Sequence, residues 1–180
     1  MSDTFKINIA GLERELPLCA VSDKLDIAAF VLFGDVEITV AAAKELLEKT
    51  PDFDYIVTPE AKSIPLAYEM ARQSGKPYFV ARKGLKVYMR DPVRVDVQSI
   101  TTRNVQTLYL DGNEGKQLTG KRVLIVDDVI STGESLAAIE KLVGQFDCEI
   151  VAKAAVLAEG DAAKRDDIVF LDKLPLFFKD

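Results

Sequence analysis

The chain has 180 residues, with no histidine, no tryptophan and only two cysteines. Without histidine neither a Ser-His-Asp triad nor a Cys-His pair can be assembled. The usual zinc ligand sets also lose their members. Cys19 and Cys148 lie far apart in apolar or strand-like sequence with no pairing pattern, and both read as small buried residues. No apolar run approaches the roughly 20 residues that a bilayer requires. The opening MSDTFKINIAGLERELPL lacks the basic start and apolar core of a secretory signal. These absences predict a cytoplasmic protein with no membrane partner. Positive charge is also scarce: 23 Lys and Arg stand against 29 Asp and Glu, a net charge of -6. A nucleic-acid binder normally carries a basic surface that displaces counterions from phosphates. The ten glycines include no G-x-G-x-x-G, which weakens a dinucleotide-binding reading. Gly115 to Arg122 has the spacing of a Walker loop, but Arg122 replaces the magnesium-binding hydroxyl and a strand follows, so the match is read as coincidence.

What is present is a foldable mixture, 48% hydrophobic and 29% charged, of a length that suits one domain. Short aliphatic runs alternate with amphipathic ones. A helix is predicted from about Asp35 to Lys49 with Val36, Val40, Ala43 and Leu47 on its apolar face. A strand follows at Asp54 to Thr58, then a helix from about Ala61 to Gln73 with Ile64, Ala67, Tyr68 and Ala71 inward. Gly75 closes that helix before a strand at Tyr78 to Ala81. After an irregular middle section come a strand at Arg122 to Val126, a helix presenting Leu136, Ile139, Val143 and Phe146, and a strand at Glu149 to Leu157. This alternation predicts an α/β fold: a Rossmann-like parallel sheet flanked by helices, with ligands outside the carboxyl ends of its strands. The core is expected over about 35–158, with a small hood lobe from about 1–34 and 159–180.

Three loops after strands carry chemistry. In the first, Asp127-Asp128-Val129-Ile130-Ser131-Thr132-Gly133-Glu134-Ser135, two carboxylates end a buried strand. Alternation along the strand keeps them from both facing the core, and the vicinal hydroxyls of a ribose would give them acceptor work. The hydroxyls of Ser131, Thr132 and Ser135 then open a helix whose unpaired N–H groups suit a phosphate, with Gly133 allowing close approach. Ser131 with Glu134 three residues on also fits a capping box, a role accepted for Glu134.

The second loop, Thr58 to Ser63, joins a strand to a helix and presents Lys62 between Ala61 and Ser63; taken alone it is equally an ordinary turn with a surface lysine. The third stretch, Arg82 to Arg103, has six basic residues against Asp91 and Asp96. Arg94 and Arg103 read as a solvated face.

VLIVDDVISTGES, Val123 to Ser135, resembles the signature of the type I phosphoribosyltransferases, which move ribose 5-phosphate from phosphoribosyl pyrophosphate to a nitrogen base. The resemblance implies that Asp127 and Asp128 hold the ribose hydroxyls and that Ser131, Thr132, Gly133, Glu134 and Ser135 hold the 5-phosphate. It implies a pyrophosphate site from Ala61, Lys62 and Ser63 together with Arg82, Lys83 and Lys86, and Mg2+ carried on the donor phosphates rather than in a protein cage. It also implies a homodimer, since the Arg-Lys segment often works across a subunit interface. Ser131 stands where hypoxanthine-guanine enzymes commonly have an aspartate, so the adenine branch looks nearest. On that reading Leu108-Tyr109-Leu110-Asp111 resembles the mobile-loop segment and Asp111 handles the proton of the purine. Glu159 is a weaker candidate near the base, with Asp161 beside it. The alternatives are xanthine or another nucleobase as acceptor, or a non-catalytic regulator that binds the donor, which the acidic chain disfavours.

Overall fold

The computed structural model describes residues 3–98 and 105–179. The chain begins with three antiparallel strands, β1 (Thr4–Ile9), β2 (Leu12–Ser22) and β3 (Leu25–Ala28). Helix α1 (Val36–Lys49) follows, then β4 (Tyr55–Pro59), α2 (Ile64–Ser74) and β5 (Tyr78–Ala81). A two-stranded antiparallel ribbon, β6 (Val93–Gln98) with β7 (Val105–Leu110), and a short helix α3 (Gly112–Leu118) occupy the middle section that looked irregular in sequence. Then come β8 (Arg122–Ile130), α4 (Glu134–Val143), β9 (Glu149–Glu159), β10 (Val169–Leu174) and β11 (Leu176–Phe178).

The central sheet has five parallel strands in the order β10-β9-β8-β4-β5. Both of its faces are covered, which is why its strands read as unbroken aliphatic runs. Ile56, Leu124 and Val126 pack with α1, α2 and the N-terminal strands, whereas Val57, Val123 and Ile125 pack with α3, α4 and the ribbon. A second sheet, β1-β2-β3-β11, joins the two ends of the chain. Val169–Leu174, expected in the hood, is instead the edge strand of the central sheet. Asp35 caps α1 by accepting from Ile38 N at 3.1 Å, and it also takes a two-pronged contact from Arg14 of β2 at 2.7 and 3.0 Å. One carboxylate thus satisfies a helix end and ties the second sheet to the core.

The helix faces are rotated from those expected. Helix α1 buries Ile38, Thr39, Ala42, Ala43 and Leu46, while Val36 is 73% exposed and Val40 is also exposed. Helix α2 buries Leu66, Ala67, Glu69 and Met70 and leaves Tyr68 outside. Each helix carries apolar residues on more than one stripe, and only docking on the sheet selects which one is buried. The outward set, with Phe33, lines a groove of about 500 Å3. Helix α4 agrees better: Leu136, Ile139 and Val143 are buried, although Phe146 lies beyond its end. Cys148 is only partly buried and Cys19 is exposed, contrary to expectation. Cys19 belongs to β2, whose second half has little packed over it. Among the described residues, no helix is long and apolar enough to cross a membrane.

Candidate active site

Strand β8 is longer than the aliphatic run that announced it and carries Asp127 and Asp128 near its carboxyl end. Both carboxylates are buried, at 8% and 4% exposure. Alternation still separates them, but each meets protein rather than one meeting open solvent. Asp127 lines a small cleft of about 90 Å3 with Ser131, Thr132, Gly133 and Ser135, and its Oδ1 accepts from Asp128 N at 2.9 Å. Asp128 lies under the other loop, where Lys62 Nζ comes within 3.1 Å of Oδ2. That contact is an ion pair without hydrogen-bond alignment, because Oδ2 is buried and has no hydrogen-bond partner among the described residues. Burial, reinforced by the charge of Asp128, pushes the Asp127 carboxyl far above the usual carboxylate range.

The turn after β8 delivers a helix N-terminus to the cleft. Gly133 is the N-cap of α4 with φ +82°, a left-handed conformation that favours glycine. Ser131 is therefore not the cap of α4, because the helix starts two residues later than the expected capping box would place it. Thr132 Oγ1 instead accepts weakly from Glu134 N at 3.4 Å. Beside this loop a wider cleft of about 410 Å3 is lined by Ser131, Thr132, Glu159, Arg165 and Leu176 of β11. Glu159 and Asp161 thus lie on the far side of the hydroxyl loop, although Asp161 is held outward by Lys164 at 2.7 Å.

The turn between β4 and α2 contributes Lys62 through its side chain, while Ser63 faces inward. Ser63 is 1% exposed, and its hydroxyl donates to Pro59 O at 3.0 Å and accepts from Thr58 Oγ1 at 2.8 Å. Its side chain braces the turn rather than offering a donor to a ligand. Glu60, which sequence reasoning passed over, joins this turn to the basic segment: it accepts from Lys83 N at 2.9 Å and pairs with Arg82 at 3.3 Å. These contacts, first that with Lys83 N and then that with Arg82, hold its carboxyl below the usual range; Lys86 adds its charge. The signal was available in the sequence, as an acid directly after a strand and opposite a run of cations.

Asp111, expected to handle the proton of the purine, is held by two backbone N–H groups. It is the N-cap of α3, accepting from Asn113 N at 2.8 Å, and its other oxygen accepts from Arg90 N at 2.7 Å. Those contacts, that with Arg90 first, lower its pKa. Both oxygens are engaged in fixing one end of the basic segment, and the Arg82–Tyr109 bridge fixes the other. In sequence a capping acid and a proton-handling acid look alike. Arg94 is exposed as expected, and Arg103 lies outside the described residues.

The fold and its strand-end loops define a doubly wound α/β protein with a hydroxyl-rich helix terminus and paired acids at the carboxyl edge of its sheet. Residues 36–178 match the family model of the phosphoribosyl transferase domain, and the chain belongs to that family. The hypoxanthine/guanine phosphoribosyltransferase of Methanococcus voltae is 38% identical over 63% of this chain and 57% of its own length. The one from Methanotorris igneus is 33% identical over 85% of each. Among solved structures, the adenine phosphoribosyltransferase of Saccharomyces cerevisiae superposes with a TM-score of 0.65 at 22% identity, over 93% of this chain and 92% of that one.

Proposed function

We propose that the chain is a purine phosphoribosyltransferase, which transfers ribose 5-phosphate from phosphoribosyl pyrophosphate to a ring nitrogen of a purine. The observation that carries this reading is the end of β8, where two buried acids run directly into the hydroxyl loop of α4 and face Lys62 across the neighbouring turn. Asp127 and Asp128 bind the ribose hydroxyls: Asp127 keeps a proton easily and can donate, while Asp128 accepts. Ser131, Thr132 and Ser135, with the N–H groups of the α4 terminus, receive the 5-phosphate.

In the reaction the C1–O bond to pyrophosphate breaks as a C1–N bond to the base forms, and the purine N–H proton is released. Charge accumulates on the leaving pyrophosphate. Lys62 on one side and the Arg82, Lys83 and Lys86 cluster, oriented by Glu60, on the other are suited to stabilise it. Magnesium fits as an ion held mainly by donor oxygens. Among the described residues no group of three carboxylate, thiol or imidazole ligands forms a cage, whereas Asp128 Oδ2, ion-paired with Lys62 but without a hydrogen-bond donor, is a buried acceptor suited to a metal-bound water or a ribose hydroxyl. When bound it supplies charge neutralisation of the donor phosphates. A homodimer suits the basic segment, whose Leu85, Val87 and Tyr88 are exposed between its cations.

Adenine is the acceptor read from Ser131, which offers no carboxylate to a 6-oxopurine. Hypoxanthine or guanine is the second reading, favoured by the names of the sequence relatives. The test is pyrophosphate release with magnesium and donor against adenine, hypoxanthine, guanine and xanthine in turn. Release with one purine is the expected result; donor binding with no release on any base would overturn the reading.

A further inference from the structure

From Asp127 to Ser135 the chain carries three acidic residues and no lysine or arginine. A phosphate dianion brought to this segment meets a helix terminus worth about half a positive charge and no cationic side chain of the segment's own. The fold supplies a cation from elsewhere. Arg165 follows the 3-10 turn Gly160–Lys164, and its Nη1 lies 2.8 Å from the point where a Cβ on Gly133 would stand. The guanidinium therefore rests against the loop at the one residue without a side chain, and it lines the cleft shared with Ser131 and Thr132.

Its orientation is set by an ion-pair network anchored on the same helix. Arg165 Nε and Nη2 grip both oxygens of Asp167 at 2.8 and 2.7 Å. Asp167 also accepts from Lys153 Nζ at 2.7 Å, and Lys153 reaches Glu140 of α4 at 3.1 Å. A fork-to-fork pair fixes the plane of the guanidinium. Two of its three nitrogens face Asp167, and no hydrogen bond from Nη1 is seen among the described residues.

We propose that Arg165 is a substrate-binding residue whose Nη1 donates to the 5-phosphate of the donor, bringing a cation to a loop that has none of its own. This rests on the ribose-phosphate reading of the loop. The position of Arg165 was silent in the sequence because it lies 30 residues beyond the loop.

The test compares wild type, Arg165→Met, Arg165→Lys and Asp167→Asn by calorimetry with ribose 5-phosphate and, separately, with magnesium pyrophosphate. Arg165→Met is expected to weaken ribose 5-phosphate about 10- to 100-fold, the worth of a charged hydrogen bond. Pyrophosphate affinity and the unliganded melting temperature should stay near wild type. Arg165→Lys should recover part of the loss, and Asp167→Asn, which loosens the fork, should fall between. If Arg165→Met folds poorly, the lysine and asparagine variants carry the same comparison. Unchanged ribose 5-phosphate affinity with a raised KM for the purine would overturn the proposal and assign Arg165 to the acceptor. Equal weakening of both ligands with a lowered melting temperature would overturn it in favour of a purely structural role. Wild type that binds neither ligand would overturn the underlying reading instead.

Discussion

Lys62 Nζ stands 3.1 Å from Asp128 Oδ2, joining the turn after β4 to the end of β8 across neighbouring strands. The lysine is about half exposed and the aspartate is nearly enclosed, so the pair places a solvent-accessible cation over a buried acid.

Because the charge of Lys62 also favours ionisation of Asp127, Lys62→Met should drive the Asp127 carboxyl further up. The alkaline limb of the pH profile of kcat/KM for donor, where the donating proton of Asp127 is lost, should move to higher pH, and kcat/KM should fall about 10-fold or more. An unmoved limb would detach Lys62 from the acid pair.

Asp127 has a raised pKa in the folded chain, so above about pH 4, where the unfolded carboxyl ionises, the folded state binds more protons than the unfolded one. Stability is therefore lost as pH rises towards the folded value. Asp127→Asn keeps the acceptor for Asp128 N and removes that cost. Its unliganded melting temperature should match wild type below about pH 4 and exceed it by about 3 °C or more near pH 8, while turnover at sub-saturating donor collapses. A variant less stable than wild type at alkaline pH would contradict the burial argument.

Asp54 behaves in the opposite sense. Hydrogen bonds from Arg122 lower its pKa to about 2, through contacts at 2.9 to 3.3 Å that tie the start of β4 to β8. Its contribution is present above the unfolded value near about pH 4 and lost as pH falls through about 2. The melting temperatures of wild type and Asp54→Asn should differ at neutral pH and converge in acid; a gap that persists at low pH would assign the effect to something other than this carboxylate.

Gly133 combines φ +82° with the close approach of Arg165. Alanine there pays about 1–2 kcal/mol for the left-handed backbone and displaces the guanidinium. The KM for donor should rise about 10-fold in steady-state assays; an alanine variant with wild-type KM would show that the loop conformation does not matter to binding.

The strands of the central sheet were legible because burial on both faces demands continuous aliphatic runs, as in Val123 to Val126. The helix faces were not. Val36 and Val40 form as good a periodic set as Ile38, Ala42 and Leu46, and periodicity carries no information about which side meets the sheet. Asp111 shows the same limit at the site, since a capping acid and a reacting acid leave one pattern in sequence.

Local order was thus determined by the sequence itself: the alternation of strand and helix, the acids at the end of β8 and the hydroxyls at the start of α4 lie within a dozen residues of one another. Tertiary structure alone decided what stands opposite them. Lys62 reaches Asp128, Glu60 orients Arg82, and Arg165 covers Gly133 because parallel strands and crossover helices bring together residues far apart in the chain. Those pairings depend on sheet order and loop closure, for which a linear pattern of apolar and charged residues has no record.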